Sequence, residues 1–286
     1  MITTLHSEVD NSVNFIEPVG DGFVESRYVH RPDTDYFIAY LSSHNGCNKA
    51  CRFCHLTATG QTMMQTASLN CLIRQFKRVY DHYLAQPEKL KGCHVNFMAR
   101  GEPLASPVIL DQALWHRLST YIVDMTQPRE LDTTFRISTI MPREVEGVDL
   151  SELFNNDDEV IYYSLYSFDP KFRKRWLPKA MDPDAALHKL AKWQQSTGQR
   201  VKLHFSLISG ENDGKEQIQD LIQRVERSGI DPSFNIVRFN SPDENKHRES
   251  EHVMEIGETI QAAGFDCRVI PRVGPDVFAS CGMFTQ

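Results

Sequence analysis

The sequence predicts an α/β fold in which six strand–helix units curve into a partial (β/α)6 barrel, with a short N-terminal β extension and a C-terminal tail. Two observations carry that expectation. Short runs rich in β-branched and aromatic residues alternate with longer stretches of helical apolar spacing over most of the 286 residues. In addition, residues suited to holding ligands recur just after the strands, the end at which α/β sheets and barrels bind them.

The elements follow in order. Residues 1–35 are polar and hold two short strand patterns, near 12–17 and 22–30, and are expected to form an extension packed on the barrel. The barrel is expected over 36–270. Its strands are 36–43, 93–99, 133–139, 160–166, 201–208, 233–239 and 266–270, and helical patterns lie at 68–86, 107–127, 184–197, 214–228 and 247–263. This alternation implies parallel strands joined by right-handed crossovers. Residues 271–286, from Pro271, read as a loop-rich tail carrying Cys281.

Composition narrows the class. Hydrophobic residues make up 41% and charged residues 24% of the chain, as in an ordinary globular protein. No apolar run is long enough for a membrane helix, and the first residues lack the basic and apolar regions of a signal peptide. Seven cysteines, an odd number, suit a reducing cytoplasm better than a disulfide framework. A net charge of −7 argues against broad, non-specific nucleic-acid binding. One basic cluster with aromatic residues inside it, Lys171 to Lys179, is either a local groove or a solvated helix face.

The chemistry concentrates in the loop after the first barrel strand. Cys47, Cys51 and Cys54 stand in a C-x3-C-x2-C spacing. A cubane iron–sulfur cluster normally takes four thiolates, so three leave one iron open to bind a ligand. Two other readings exist. The three with His55 form a Cys3His set of the kind that holds structural zinc, or they are buried thiols packed as small hydrophobes. Zinc sites normally pair two distant C-x2-C-like units, and the chain has no second pair; Gly46, Asn48 and Lys49 do not suit a core segment. After the second barrel strand comes Gly101-Glu102-Pro103-Leu104. Its glycine allows close backbone approach, and its carboxylate can pair with a ligand ammonium group.

With Phe53 before the last cysteine, the triplet resembles the signature of the radical S-adenosylmethionine (SAM) superfamily, whose members cleave SAM reductively to a 5′-deoxyadenosyl radical. More specifically, the chain from about Val24 to Gly282 resembles the RlmN/Cfr family of adenine methyltransferases acting on ribosomal RNA and, in some members, transfer RNA. The matching segments are Ser42-Ser43-His44-Asn45-Gly46-Cys47, Met98 to Leu104, Ser138 to Met141, Ser164 to Ser167, Glu211 to Asp213, Phe239 to Pro242 and Asp276 to Gly282. The resemblance implies a [4Fe–4S] cluster on Cys47, Cys51 and Cys54. It implies SAM contacts from Gly101, Glu102, Ser138, Ser164, Leu165, Tyr166 and Asn240. It makes Cys281 the residue that is itself methylated before passing the carbon to an adenine ring, and Glu25 a proton acceptor. An RNA or nucleotide substrate and an external electron donor such as flavodoxin follow from the same likeness.

Three departures from the family pattern matter. Tyr40 stands seven residues before Cys47, where the family has the cysteine that closes a disulfide with the methyl-carrying one; Cys71, Cys93 and Cys267 do not align with it. About 35 residues precede the first barrel strand, too few for the family's helical accessory domain. Tyr166 replaces a histidine, and Met141 stands where the family has glycine. His44, His55 and His94 lie near the expected site and read as surface or satisfied core residues.

Overall fold

The computed structural model describes residues 1–285, so the final residue of the expected 271–286 tail lies outside them. Ten strands form one sheet in chain order. They are β1 (Thr3–His6), β2 (Val13–Val19), β3 (Gly22–His30), β4 (Tyr36–Tyr40), β5 (Gly92–Asn96), β6 (Asp132–Thr139), β7 (Glu159–Tyr163), β8 (Val201–Phe205), β9 (Pro232–Val237) and β10 (Asp266–Ile270). Neighbours from β1 to β4 are antiparallel. Those from β4 to β10 are parallel, as the alternation predicts. The N-terminal strands therefore extend the barrel's own sheet edge to edge.

The helices are α1 (His55–Ala58), α2 (Leu69–Leu84), α3 (Pro107–Leu110), α4 (Gln112–Thr126), α5 (Leu150–Leu153), α6 (Pro170–Trp176), α7 (Pro183–Thr197), α8 (Lys215–Arg227) and α9 (Val253–Ala262). The expected helix over 107–127 splits at Asp111, whose carboxylate accepts the Leu114 N–H at 2.9 Å and so begins α4 afresh. The expected helix over 247–263 starts only at Val253. Glu249 is committed instead to Arg238 and the Phe239 N–H. β1, α1, α5 and α6 have patterns too short to announce themselves. The basic cluster falls on α6 and beyond. Phe172, Arg173 and Trp176 are buried there, with Arg173 donating to the Leu165 and Met181 carbonyls, while Lys171, Lys174 and Arg175 stay exposed.

Successive side chains of a strand face opposite ways. On the outer face Phe37, Val95, Phe135, Ile161, Leu203 and Phe234 join the main core beneath the helices. The inner face is polar, bearing His94, Asn96, Arg136, Ser138, Lys202 and His204. The tail leaves β10 and crosses to the opposite side of the sheet, where Val273, Val277 and Ala279 pack on Val29 and Ile38. Asp276 accepts from Ser7 Oγ at 2.7 Å and from the Glu8 N–H at 2.8 Å, while Asn14 Nδ2 donates to the Val277 carbonyl at 3.0 Å.

Candidate functional site

The cysteine loop leaves β4 and is tied down on both sides. The Cys47 N–H donates to Gln61 O at 3.1 Å and the Arg52 N–H to Trp176 O at 3.0 Å. Gly46 is required in this loop, because a Cβ there would lie 2.2 Å from the Met63 carbonyl oxygen. Cys47, Cys51 and Cys54 line a single pocket together with Phe53, Gly101, Glu102, Ser138, Ser164, Tyr166 and Cys281. Burial pushes the Cys47 thiol up to about 12 and Cys54 to about 11, with Cys51 well above its ordinary value. A bound metal centre reverses such shifts, because it takes thiolates.

His55, the remaining member of the zinc alternative, is engaged elsewhere. Its Nε2 lies 3.3 Å from the Asn240 carbonyl oxygen. Among the described residues, no three His, Cys, Asp or Glu side chains converge closely enough for one ion. The three cysteines thus share the pocket wall without His55.

Glu102 sits opposite the thiols. Gly101 has φ +101°, and a Cβ there would meet Ser43 Oγ at 2.5 Å, so only glycine turns the chain here. The Glu102 carboxylate accepts from Thr139 Oγ1 at 2.6 Å, the Leu104 N–H at 3.1 Å and the Ile140 N–H at 3.2 Å. Burial outweighs these bonds and raises its carboxyl to about 7. Among the described residues it forms no ion pair, although the Lys49 charge acts on it from a distance. Glu102→Gln is expected to weaken SAM binding by about 10- to 100-fold, the worth of one hydrogen bond to a charged group. Equilibrium dialysis of the cluster-loaded protein measures this, and unchanged affinity would remove Glu102 from the SAM site.

The other expected contacts separate. Ser138 and Ser164 line the pocket, and Ser138 Oγ donates to Asn96 Oδ1 at 3.0 Å. Tyr166, at φ +60°, stacks on Phe53 with ring centroids 4.4 Å apart. Leu165 instead fills the core. Asn240 does not line the pocket; its Nδ2 donates to the Cys281 carbonyl at 3.0 Å and its Oδ1 accepts from Arg272 Nε at 2.9 Å. It therefore holds the tail in place.

Cys281 reaches the pocket because the tail is pinned at both flanks. The His55 N–H donates to Gly282 O at 3.0 Å, and the Cys281 thiol lies 3.9 Å from His204 Nε2. Burial raises that thiol to about 12 and lowers His204 to about 4, so both are neutral near pH 7. Glu25 lies behind the pocket, fully buried. Its oxygens accept from Arg27 Nη2 at 2.7 Å, Arg100 Nε at 2.8 Å, Asn14 Nδ2 at 3.0 Å, Thr285 Oγ1 at 2.7 Å and the Thr285 N–H at 3.0 Å. Burial alone would raise its carboxyl, but the two arginines outweigh it and hold the carboxyl at about 2. A carboxylate so engaged is a poor proton acceptor and a good anchor for the tail's end.

Sequence reasoning missed Arg100 and His204. Arg100 occupies a variable position of the Met98–Leu104 segment, and its signal was only a charged residue between alanine and glycine at a strand end. His204 stands one residue before the end of β8 on its inward face, a place that periodicity marks once the sheet is known. His44 is buried and bonded to Ser43 Oγ, as a satisfied residue is, and the His94 ring lies tilted against Tyr36 with centroids 3.7 Å apart.

No family model matches the chain. Among curated proteins, it is 26% identical to the dual-specificity RNA methyltransferase RlmN of Bdellovibrio bacteriovorus, over 97% of this chain and 66% of that protein. It is 24% identical to a probable dual-specificity RNA methyltransferase RlmN of Bacteroides thetaiotaomicron, over 97% of this chain and 75% of that one. Over nearly its whole length the chain is RlmN/Cfr-like in sequence. Among solved structures, a radical SAM methyltransferase from Sphaerobacter thermophilus shares the fold with a TM-score of 0.77 at 16% identity, over 99% of this chain and 80% of that one. This RlmN/Cfr-like chain spans about two thirds to three quarters of the RlmN relatives' length. Among its described residues, no helix is long and apolar enough to cross a membrane.

Proposed function

We propose that the protein is a radical SAM methyltransferase that methylates an adenine-type base in RNA, with Cys281 as the methyl carrier. The observation that supports this reading most directly is the convergence of Cys281, carried by the tail, with Cys47, Cys51, Cys54 and Glu102 in one pocket, although as many as 234 residues (281 − 47) separate them in the chain. Cys47, Cys51 and Cys54 would hold a [4Fe–4S] cluster, which together with one electron from an external donor supplies the reductive cleavage of SAM. Glu102 would receive the SAM amino group, and Ser138 and Ser164 the rest of the cofactor. Cys281 would take a methyl group by displacement and later present its carbon to the base, dividing one difficult step into easier ones.

Anaerobic turnover of the reconstituted protein with RNA, reductant and SAM tests this, scored for 5′-deoxyadenosine and methylated adenosines. Formation of 5′-deoxyadenosine with no methylated adenosine would refute methylation and leave radical chemistry standing.

A second reading keeps the cleavage and changes the outcome, toward other radical chemistry on a nucleotide or small substrate. It is favoured by Tyr40. That residue lies on the inner face beside the tail, and its phenol cannot close a disulfide. Cys71, Cys93 and Cys267 are packed in the outer core, away from Cys281. No thiol of the family's kind is placed to break the final carbon–sulfur bond. If the parent enzyme fails to release methylated RNA and Tyr40→Cys does so, the parent chemistry has diverged.

A further inference from the structure

The inner face of the barrel below Cys281 holds cations without counter-ions. Register sets Arg136 of β6 beside Asn96 and Val160, and Lys202 of β8 beside Tyr162. Arg136 donates only to Thr134 Oγ1, at 2.9 Å, and its guanidinium lies 5.8 Å from the Tyr162 ring centroid. Lys202 Nζ bonds only to Ser233 Oγ, at 2.8 Å. Arg31, just after β3, has its Nε buried and without a partner, and its charge acts on Tyr40, Tyr162 and His204. None of the three forms an ion pair among the described residues. Asp266, which faces Ser233 across the ladder, is paired with Arg200 and Arg268.

The chain does not lack carboxylates, with 38 acidic residues against 31 lysines and arginines. Elsewhere it meets enclosed cations directly, as Glu25 does for Arg27 and Arg100, and as the Leu165 and Met181 carbonyls do for Arg173. A half-buried group of cations left unpaired costs free energy unless something anionic enters. Lys202 and His94 register this crowding: both are shifted down, first by burial and then by Arg136, although Asp266 partly opposes the shift of Lys202.

The same inner face runs on to the pocket through Ser138 and His204. His204 presents Nε2 to the Cys281 sulfur at 3.9 Å, while its Nδ1 is buried without a partner. Arg136 is two residues before the pocket-lining Ser138, roughly 7 Å along the strand. We propose that Arg136, Lys202 and Arg31 bind a phosphate group of the substrate, so that the attached ring is held toward Cys281. A guanidinium suits this role because its planar fork matches phosphate oxygens. The inference rests on the function proposed above only in placing the reacting ring at Cys281. The phosphate could belong to a free nucleotide or to an RNA nucleotide, and binding separates them.

Isothermal titration of the cluster-loaded full chain, anaerobic and without reductant, uses AMP, adenosine, inorganic phosphate and a short adenosine-containing RNA. AMP or the RNA is expected to bind at least about tenfold more tightly than adenosine, with inorganic phosphate competing. Arg136→Ala and Lys202→Ala should each remove that advantage and leave adenosine binding unchanged, while Lys246→Ala at the surface changes nothing. Preference for AMP assigns the phosphate to a free nucleotide, and preference for RNA to a polynucleotide. Equal affinity for AMP, RNA and adenosine, or variants that bind like the parent, would overturn the proposal. Should Arg136→Ala not fold, Lys202→Met, which keeps most of the apolar stem, carries the same test. Because no turnover is involved, a failure of methylation leaves this result unaffected.

Discussion

Replacing Cys281 with alanine is expected to abolish methylated product, by at least about a thousandfold, while 5′-deoxyadenosine still forms. The split follows from the site's layout. Cys47, Cys51, Cys54 and Glu102 reach the pocket from the loops after β4 and β5, and none of them depends on the Cys281 sulfur for its position. Cys281 arrives separately, on a tail held by the Cys281 carbonyl bond to Asn240 and the Gly282 carbonyl bond to His55. Both are backbone bonds that an alanine keeps. Among the described residues the thiol's one hydrogen-bonding neighbour is His204 at 3.9 Å, so its removal breaks no ion pair. Two products quantified from the same anaerobic reaction provide the check. Retained methylation in Cys281→Ala would exclude the carrier role, and loss of both products would show that the tail cysteine also supports SAM cleavage.

Substituting Glu25 with alanine is expected to cost about 3–5 kcal/mol of stability, the usual penalty for removing one partner of a buried ion pair. Here two guanidiniums, on Arg27 and Arg100, lose their shared carboxylate in a fully buried place. The same change releases the tail. Glu25 is what Thr285 binds through both its N–H and its hydroxyl, although Arg100 Nη2 also donates to the Thr285 carbonyl at 2.7 Å. Urea unfolding at pH 7 measures the loss, and faster proteolysis near the C-terminus of the variant reports the release. A loss below about 1 kcal/mol would mean that water replaces the carboxylate and that the network is not a latch. The pH dependence has a definite sign. The folded-state carboxyl is held at about 2, against an ordinary value of 4.5. Its contribution is therefore complete above pH 4.5 and is lost as pH falls through the folded value. Glu25→Gln should lack that acid-sensitive portion.

Much of this was legible in the chain. The seven barrel strands follow their β-branched runs, because a strand buried on its outer face must repeat apolar residues at a period of two. The three thiols and Glu102 could be placed at one end of the sheet because both follow parallel strands, whose carboxyl ends lie together. The likeness to RlmN relatives rests on the same local segments. Element limits were less legible. Asp111 divides one helical pattern by capping its second half, and Glu249 delays α9 by serving Arg238, and both depend on partners beyond the local window.

Glu25 and Asn240 show where local reading stops. Both match family segments, yet Glu25 lies in an ion-pair network behind the pocket and Asn240 grips the Cys281 backbone. Arg100 belongs to that network through Glu25 and Thr285, which lie 75 positions before it and 185 after it. The unpaired cations are equally invisible in sequence. Arg31, Arg136 and Lys202 are 66 to 171 positions apart (202 − 136 and 202 − 31), and only the curvature of the sheet turns them inward. The sequence by itself determined the strand–helix order and the close C-x3-C-x2-C spacing of Cys47, Cys51 and Cys54, because these depend on spacing and residue type. Tertiary structure alone decided that the tail brings Cys281 to the triplet, that Glu25 anchors it and that Arg31, Arg136 and Lys202 form no ion pair among the described residues, because charge pairing is settled by distance in space.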